Sequence, residues 1–122
     1  MSADPRPEDA LAELRNALRT FAAERDWDQF HSPKNLAMSV MIEAAELGEH
    51  FQWLPTGQDA ELAPGQRDRV ALEMADVLLY LVRLADRLDV DLAAAARRKL
   101  DINAERYPAD RARGRATKYT EL

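Results

Sequence analysis

Residues 66–88 read Gln66-Arg-Asp-Arg-Val70-Ala-Leu-Glu73-Met-Ala-Asp76-Val-Leu-Leu-Tyr80-Leu-Val-Arg-Leu-Ala-Asp-Arg-Leu88, and this stretch decides the fold. It reads as one helix whose middle, Val77 to Val82, is apolar nearly all round, which predicts the central buried element of a helical protein. Pro55, Gly57, Pro64 and Gly65 bracket a loop ahead of it. Before the loop, Ser32 suits an N-cap and Pro33 a first helical position. A helix is expected from there to about Trp53, with Leu36, Val40, Leu47, Phe51 and Leu54 as its apolar row. Asp26 to Ser32 is an aromatic-rich connector. Leu11, Leu14, Leu18 and Phe21 repeat at helical spacing and predict a first helix from about Glu8 to Arg25. On the other side, Asp91 can cap a fourth helix from Leu92 to about Arg106, ended by Tyr107-Pro108. Residues 109–122 show no apolar period and read as a tail or arm.

Composition agrees with an all-α chain. Ala (22) and Leu (16) far outnumber Val (5), Ile (2) and Thr (4), and β-branched residues are the ones that lose side-chain freedom in a helix. A length of 122 residues fits one domain, here residues 1–108, followed by the basic arm 109–122. The absence of cysteine excludes a disulfide scaffold, thiolate metal sites and a cysteine nucleophile. No stretch reaches the roughly 18 apolar residues of a membrane span, and the polar opening is unlike a signal peptide. The expected location is cytoplasmic, with no membrane partner. Net charge is −5, but residues 97–122 carry eight basic and four acidic groups, and the first 96 carry nine and 18. So acidic a body repels a nucleic-acid backbone. It can still hold cations and, through them, a phosphorylated small molecule.

The acids are informative by position. Glu43 and Glu46 are three apart in the second helix, and Glu73 and Asp76 are three apart in the third. Such pairs share a helix face, and both flank apolar core positions. Ions left unpaired there cost several kcal/mol each, roughly. Either basic residues or a divalent cation must answer them, and no Lys or Arg lies three or four positions from Glu43 or Glu46. Arg69 does lie four before Glu73. A lone Glu-x-x-Glu is commonly a solvated, salt-bridged face; two such pairs on core-facing helices are less so. An all-oxygen set suits a hard ion, Mg²⁺ or Mn²⁺. A di-iron bundle would need Glu-x-x-His pairs on two helices, and His50 stands four residues after Glu46.

Glu43-x-x-Glu46, 26 residues, then Glu73-x-x-Asp76 resembles the metal motif of the all-α nucleoside triphosphate pyrophosphohydrolases, the MazG-like group. Further segments resemble its dCTP pyrophosphatase branch. These are Phe21-Ala-Ala-Glu-Arg-Asp-Trp27-Asp-Gln-Phe-His31, Phe51-Gln-Trp53, Asp76-Val-Leu-Leu-Tyr80, Lys99-Leu-Asp-Ile-Asn103, Arg106-Tyr-Pro108 and Lys118-Tyr-Thr-Glu-Leu122. The likeness covers about residues 8 to 122. It implies a four-helix MazG-like bundle. The apolar faces of the second and third helices are too wide for four helices alone, and a homodimer or homotetramer is expected to bury them. The likeness also implies hydrolysis of a nucleoside triphosphate, dCTP or a modified dCTP, to the monophosphate and pyrophosphate. By similarity Glu43, Glu46, Glu73 and Asp76 are the catalytic metal ligands, and one of the first two doubles as general base.

The same likeness makes Trp27, Asp28, Gln29, Phe30, His31, Trp53 and Tyr80 substrate-pocket residues. Taken alone, the two tryptophans are more often core or interface residues, although a base stacked on an aromatic gains about 1–3 kcal/mol. Helical spacing from Glu46 sets Trp53 on the acid face of the second helix. Lys99, Asn103 and Arg106 form one stripe of the fourth helix. Such stripes are often solvated; the functional reading has Lys99 and Arg106 meet phosphates or the acids, and Asn103 hydrogen-bond the ligand. The alternatives are a related all-α hydrolase acting on dUTP, damaged purine triphosphates or phosphoribosyl-ATP, and a non-enzymatic helical interaction protein.

Overall fold

The computed structural model describes residues 7–122, and every regular element among them is helical. Of the polar opening, residues 1–10, whose composition argues against a signal peptide, residues 1–6 lie outside the described residues. The helices are α1 (Pro7–Glu24), α2 (Pro33–Glu49), α3 (Gln66–Arg87), α4 (Leu92–Arg106) and the single turn α5 (Ala109–Ala112). Short 3-10 turns lie at Asp28–Phe30, Asp59–Glu61 and Tyr119–Glu121. Among the described residues, no helix is long and apolar enough to cross a membrane.

Local chemistry sets the helix ends. The Ser32 side chain accepts from the Asn35 N–H at 3.2 Å, and Asp91 accepts from the Ala94 N–H at 3.0 Å; both occupy orphan donors of a first turn. At the end of α1, Asp26 takes a left-handed conformation (φ 54°), and the Trp27 N–H reaches back to the Ala22 carbonyl at 2.9 Å. Asp89 repeats the device after α3, with the Val90 N–H on the Ala85 carbonyl at 2.8 Å. These are six-to-one C-terminal caps, and aspartate tolerates the left-handed region better than most residues. The first one delivers Trp27 to its place beside α1.

The chain forms two compact units, Met1–Val90 and Asp91–Leu122. In the first, α3 packs against both α1 and α2. Its core is small: Ala22, Leu36, Val70, Val82 and Ala85 are buried, and Leu36 is 1% exposed. Full burial of one leucine is worth about 1.5–3 kcal/mol. Helix α3 is central, as expected, but within the single chain its apolar middle is only partly covered. Of Val77 to Val82 only Val82 is buried, and Leu78 is 39% exposed. Two neighbouring helices cannot cover a surface that is apolar on every side.

A second difference concerns α2, which stops at Glu49 rather than near Trp53. The row Leu47, Phe51, Leu54 keeps helical spacing past the true end. After Gly48, however, the backbone closes tight turns, His50 N–H to the Leu47 carbonyl and Phe51 N–H to the Gly48 carbonyl. The His50 carbonyl accepts from Gln66 Nε2 at 3.3 Å, which ties the exit of α2 to the start of α3.

In the second unit, residues 109–122 fold with α4. The Tyr107 and Tyr119 rings meet edge to face at 5.9 Å, and the Arg106 guanidinium lies 4.8 Å over Tyr119. The compact division therefore falls after residue 90, while the division expected from composition, after residue 108, lies inside this unit.

Candidate active site

Three of the four acids converge. Glu43 of α2 and Glu73 and Asp76 of α3 each offer a carboxylate oxygen, and these oxygens lie within 4.8 Å of one another. The pairing of α2 with α3 and the i, i+3 spacing of the acids produce this directly. Glu43 Oε2 and Glu73 Oε2 are buried without a hydrogen-bond partner. Among the described residues, none of the ion pairs reaches any of the four acids. Glu46 is exposed and lies beside Glu43 rather than inside the three-way cluster.

Such crowding disfavours charge. The Glu43 carboxyl is pushed up to about 7, first by burial, then by a hydrogen bond with Glu46 and the charges of Glu46, Asp76 and Glu73. Buried carboxylate oxygens with no donor at hand are what a cation satisfies. The donor set is all oxygen, so the residues present fit a hard divalent ion.

Next to the cluster lies a pocket of about 420 Å³, lined by residues that include Phe21, Trp27, His31, Asp76, Tyr80 and Arg83. Its volume is in the range of small-molecule sites, roughly 300–1,000 Å³. Asp76 belongs both to this pocket and to the acid cluster. Aromatic walls and cation-binding acids thus adjoin. Phe21 and Trp27 meet edge to face at 5.7 Å, and Trp27 and His31 at 6.3 Å.

Of the connector residues, Trp27 and His31 line this pocket, and Asp28, Gln29 and Phe30 do not. The 3-10 turn Asp28–Phe30 carries those three to other faces. Asp28 accepts from Arg83 Nη2 at 2.5 Å and lines a separate cleft with Arg19, Asp86 and Arg87. Gln29 donates to the Asp26 carbonyl and side chain at 3.0 and 3.1 Å, closing its own loop. Phe30 is 59% exposed. Tyr80 is half-buried and lies one turn beyond Asp76 on the pocket wall.

Trp53 stands apart. It follows the end of α2, is 87% exposed, and lines a different cleft with Glu49, His50, Leu54 and Gln66. Its expected place on the acid face of α2 is corrected, because the helix ends four residues earlier. Lys99 and Asn103 sit one turn apart on α4 in the second unit. Lys99 is exposed and Asn103 half-buried. Arg106 of the same stripe is engaged with Tyr119.

Sequence reasoning missed Arg83, the one buried charged residue among those described, at 5% exposure. It donates to Asp28, to His31 Nδ1 at 3.1 Å, and approaches Asp86 at 3.5 Å. Asp86 is also held by Arg19 of α1, which pulls its carboxyl below the usual range. The signal was present: Arg83 stands four-plus-three residues after Asp76 and three after Tyr80, on the same stripe of α3.

Residues 38–122 match the MazG-like family. The chain is 49% identical to dCTP pyrophosphatase 1 of Homo sapiens over 118 residues, 95% of this chain and 69% of that protein. The Rattus norvegicus protein of that name is 47% identical over the same shares. The crystal structure of a pyrophosphatase from Archaeoglobus fulgidus superposes with a TM-score of 0.76 at 37% identity, over 88% of this chain and 98% of that one.

Proposed function

The chain belongs to the MazG-like family, in its dCTP pyrophosphatase branch, and we propose that it hydrolyses dCTP or a modified dCTP to the monophosphate and pyrophosphate, with Mg²⁺. One observation carries the reading: a pocket walled by Phe21, Trp27, His31 and Tyr80 shares Asp76 with three convergent carboxylates, two of which have buried, partnerless oxygens. The nucleotide relatives support its use for a base at one end and phosphates at the other.

Each residue then has a part. Trp27 and Phe21 hold the base against a flat apolar wall. Glu43, Glu73 and Asp76 hold the ion, with Glu46 beside Glu43 completing the set. When bound, Mg²⁺ supplies a Lewis acid that neutralises phosphate charge and makes water more acidic. A carboxylate of the set not taken up by the ion accepts the proton of the attacking water, and Glu46, exposed and outside the three-way cluster, is the candidate. The pocket excludes bulk water from the base by its apolar lining.

The functional form is a homodimer or homotetramer. Met38, Met41 and Ile42 of α2 and Leu72 and Met74 of α3 are each 47–69% exposed in the single chain, and a symmetric interface would cover them. Trp53 of one protomer, exposed and outside the aromatic pocket of its own chain, then closes the pocket of another. The test is turnover of every common dNTP and NTP with Mg²⁺ and with EDTA, alongside light-scattering mass. Preference for dCTP, abolished by EDTA, in a species of two or four chains is expected. Preference for dUTP or a purine triphosphate would move the chain to a related substrate class, and no turnover at all would leave a helical interaction protein.

A further inference from the structure

Buried arginines need a reason, and Arg83 has partners on two sides. Its guanidinium meets the carboxylates of Asp28 and Asp86, which answer its charge. That alone would explain its burial. The third contact is not an ion pair: Arg83 Nε–H donates to His31 Nδ1 at 3.1 Å. One turn further along α3, Arg87 Nε donates to the His31 backbone carbonyl at 3.1 Å. Two arginines of one helix thus hold both the ring and the main chain of His31, the residue that lines the aromatic pocket beside Trp27.

An arginine nitrogen can only donate, so Nδ1 must carry its lone pair and the ring proton must sit on Nε2. Nδ1 is occupied, and Nε2 is the one ring nitrogen left for a ligand. We propose that Arg83 is a positioning residue for the nucleotide: it locks His31 in the Nε2–H form, so that the pocket always presents a hydrogen-bond donor to an acceptor on the edge of the base. The inference rests on the nucleotide reading of this pocket. A cytosine edge carries two acceptors, a carbonyl oxygen and a ring nitrogen, and a fixed donor meets either without a tautomer change. The same arginine opposes a proton on Nδ1. Burial first and the Arg83 charge second pull the His31 pKa below its ordinary value, with Arg87 adding to this and Asp28 opposing it.

Long-range ¹H–¹⁵N NMR reads histidine tautomers directly, and the chain has two histidines, so His50 serves as internal reference. In the ligand-free wild type, His31 is expected as a single Nε2–H form. Arg83→Lys keeps a charge for Asp28 and Asp86 but lacks the rigid Nε–H, and should give a mixture of tautomers in a folded protein. With that variant KM for the preferred nucleotide should rise by the reciprocal of the Nε2–H fraction that remains, about twofold for an even mixture, while kcat changes little. In a His31→Ala background the further change Arg83→Lys should leave KM where it is. A wild-type His31 protonated on Nδ1, or a mixture of forms there, overturns the proposal. So does an Arg83→Lys effect on KM that is as large without His31 as with it, which is what a purely structural arginine gives. The spectrum needs no nucleotide, so a failure of the substrate reading shows separately, as wild-type protein inert towards all triphosphates.

Discussion

Glu43→Gln should stabilise the metal-free protein at neutral and higher pH while removing its activity. The folded chain holds the Glu43 proton up to about 7, against an ordinary value of 4.5. Between those values the folded form binds more protons than the unfolded one, so stability declines as pH rises through that window. At about 1.36 kcal/mol per unit, discounted for the solvent around exposed Glu46 and Asp76, the loss is about 1.5 kcal/mol. An amide cannot ionise, keeps the shape, and can donate to the partnerless Glu73 Oε2 that lies in the same cluster. In EDTA at about pH 8 the variant should therefore melt some 5 °C above wild type, given the entropy of a domain this size. Near pH 5 the gap should shrink towards zero, because the wild-type carboxyl is then protonated too. Thermal melts of both proteins across that pH range, in EDTA, decide the matter. A variant that melts at or below wild type at pH 8, or a gap that does not move with pH, would refute the picture of a crowded, unpaired carboxylate.

The other expectations concern the same site and its frame. Asp76→Asn should nearly abolish turnover, and millimolar Mg²⁺ should raise Tm less than in wild type, because an ion held only by the folded form stabilises by mass action; equal shifts would remove Asp76 from the ligand set. Trp27→Ala should raise KM by roughly tenfold or more and leave kcat within a few-fold, since stacking is present in both ground and transition states; a kcat loss alone would speak against a base-binding wall. Trp53→Ala should raise KM in a species of unchanged mass, and normal kinetics in that species would show that Trp53 serves no pocket. Leu36→Ala should cost about 2–5 kcal/mol of stability, read from denaturant melts, because it truncates the largest fully buried side chain among the described residues.

The helices were legible because their ends carry side-chain chemistry. Ser32-Pro33 and Asp91 are caps that act within three residues, so no tertiary knowledge is needed to place α2 and α4. The acid pairs were legible for a similar reason: spacing of three puts both members on one face whatever the helix packs against. The end of α2 was not, because Leu47, Phe51 and Leu54 continue an apolar row that serves a turn as well as a helix, and the Gln66 contact that closes the turn is sixteen residues away in sequence. Trp53 was misplaced by the same error. The connector misled in another way. Aromatic and polar residues stand together in it, but a 3-10 turn sends neighbours to different faces, so Trp27 and His31 enter the pocket and Asp28 turns to Arg83. Arg83 itself was hidden by its type. A charged residue in an apolar helix is read as exposed until partners from the connector and α3 are brought around it.

The central claim is that the acid cluster and the aromatic pocket act together on one triphosphate. ³¹P NMR of dCTP incubated with the protein and Mg²⁺ tests it most directly, since it identifies both products in one spectrum. Equal amounts of dCMP and pyrophosphate are expected, and neither when Mg²⁺ is replaced by EDTA. Orthophosphate with dCDP as the first products, or the same turnover in EDTA, would contradict it.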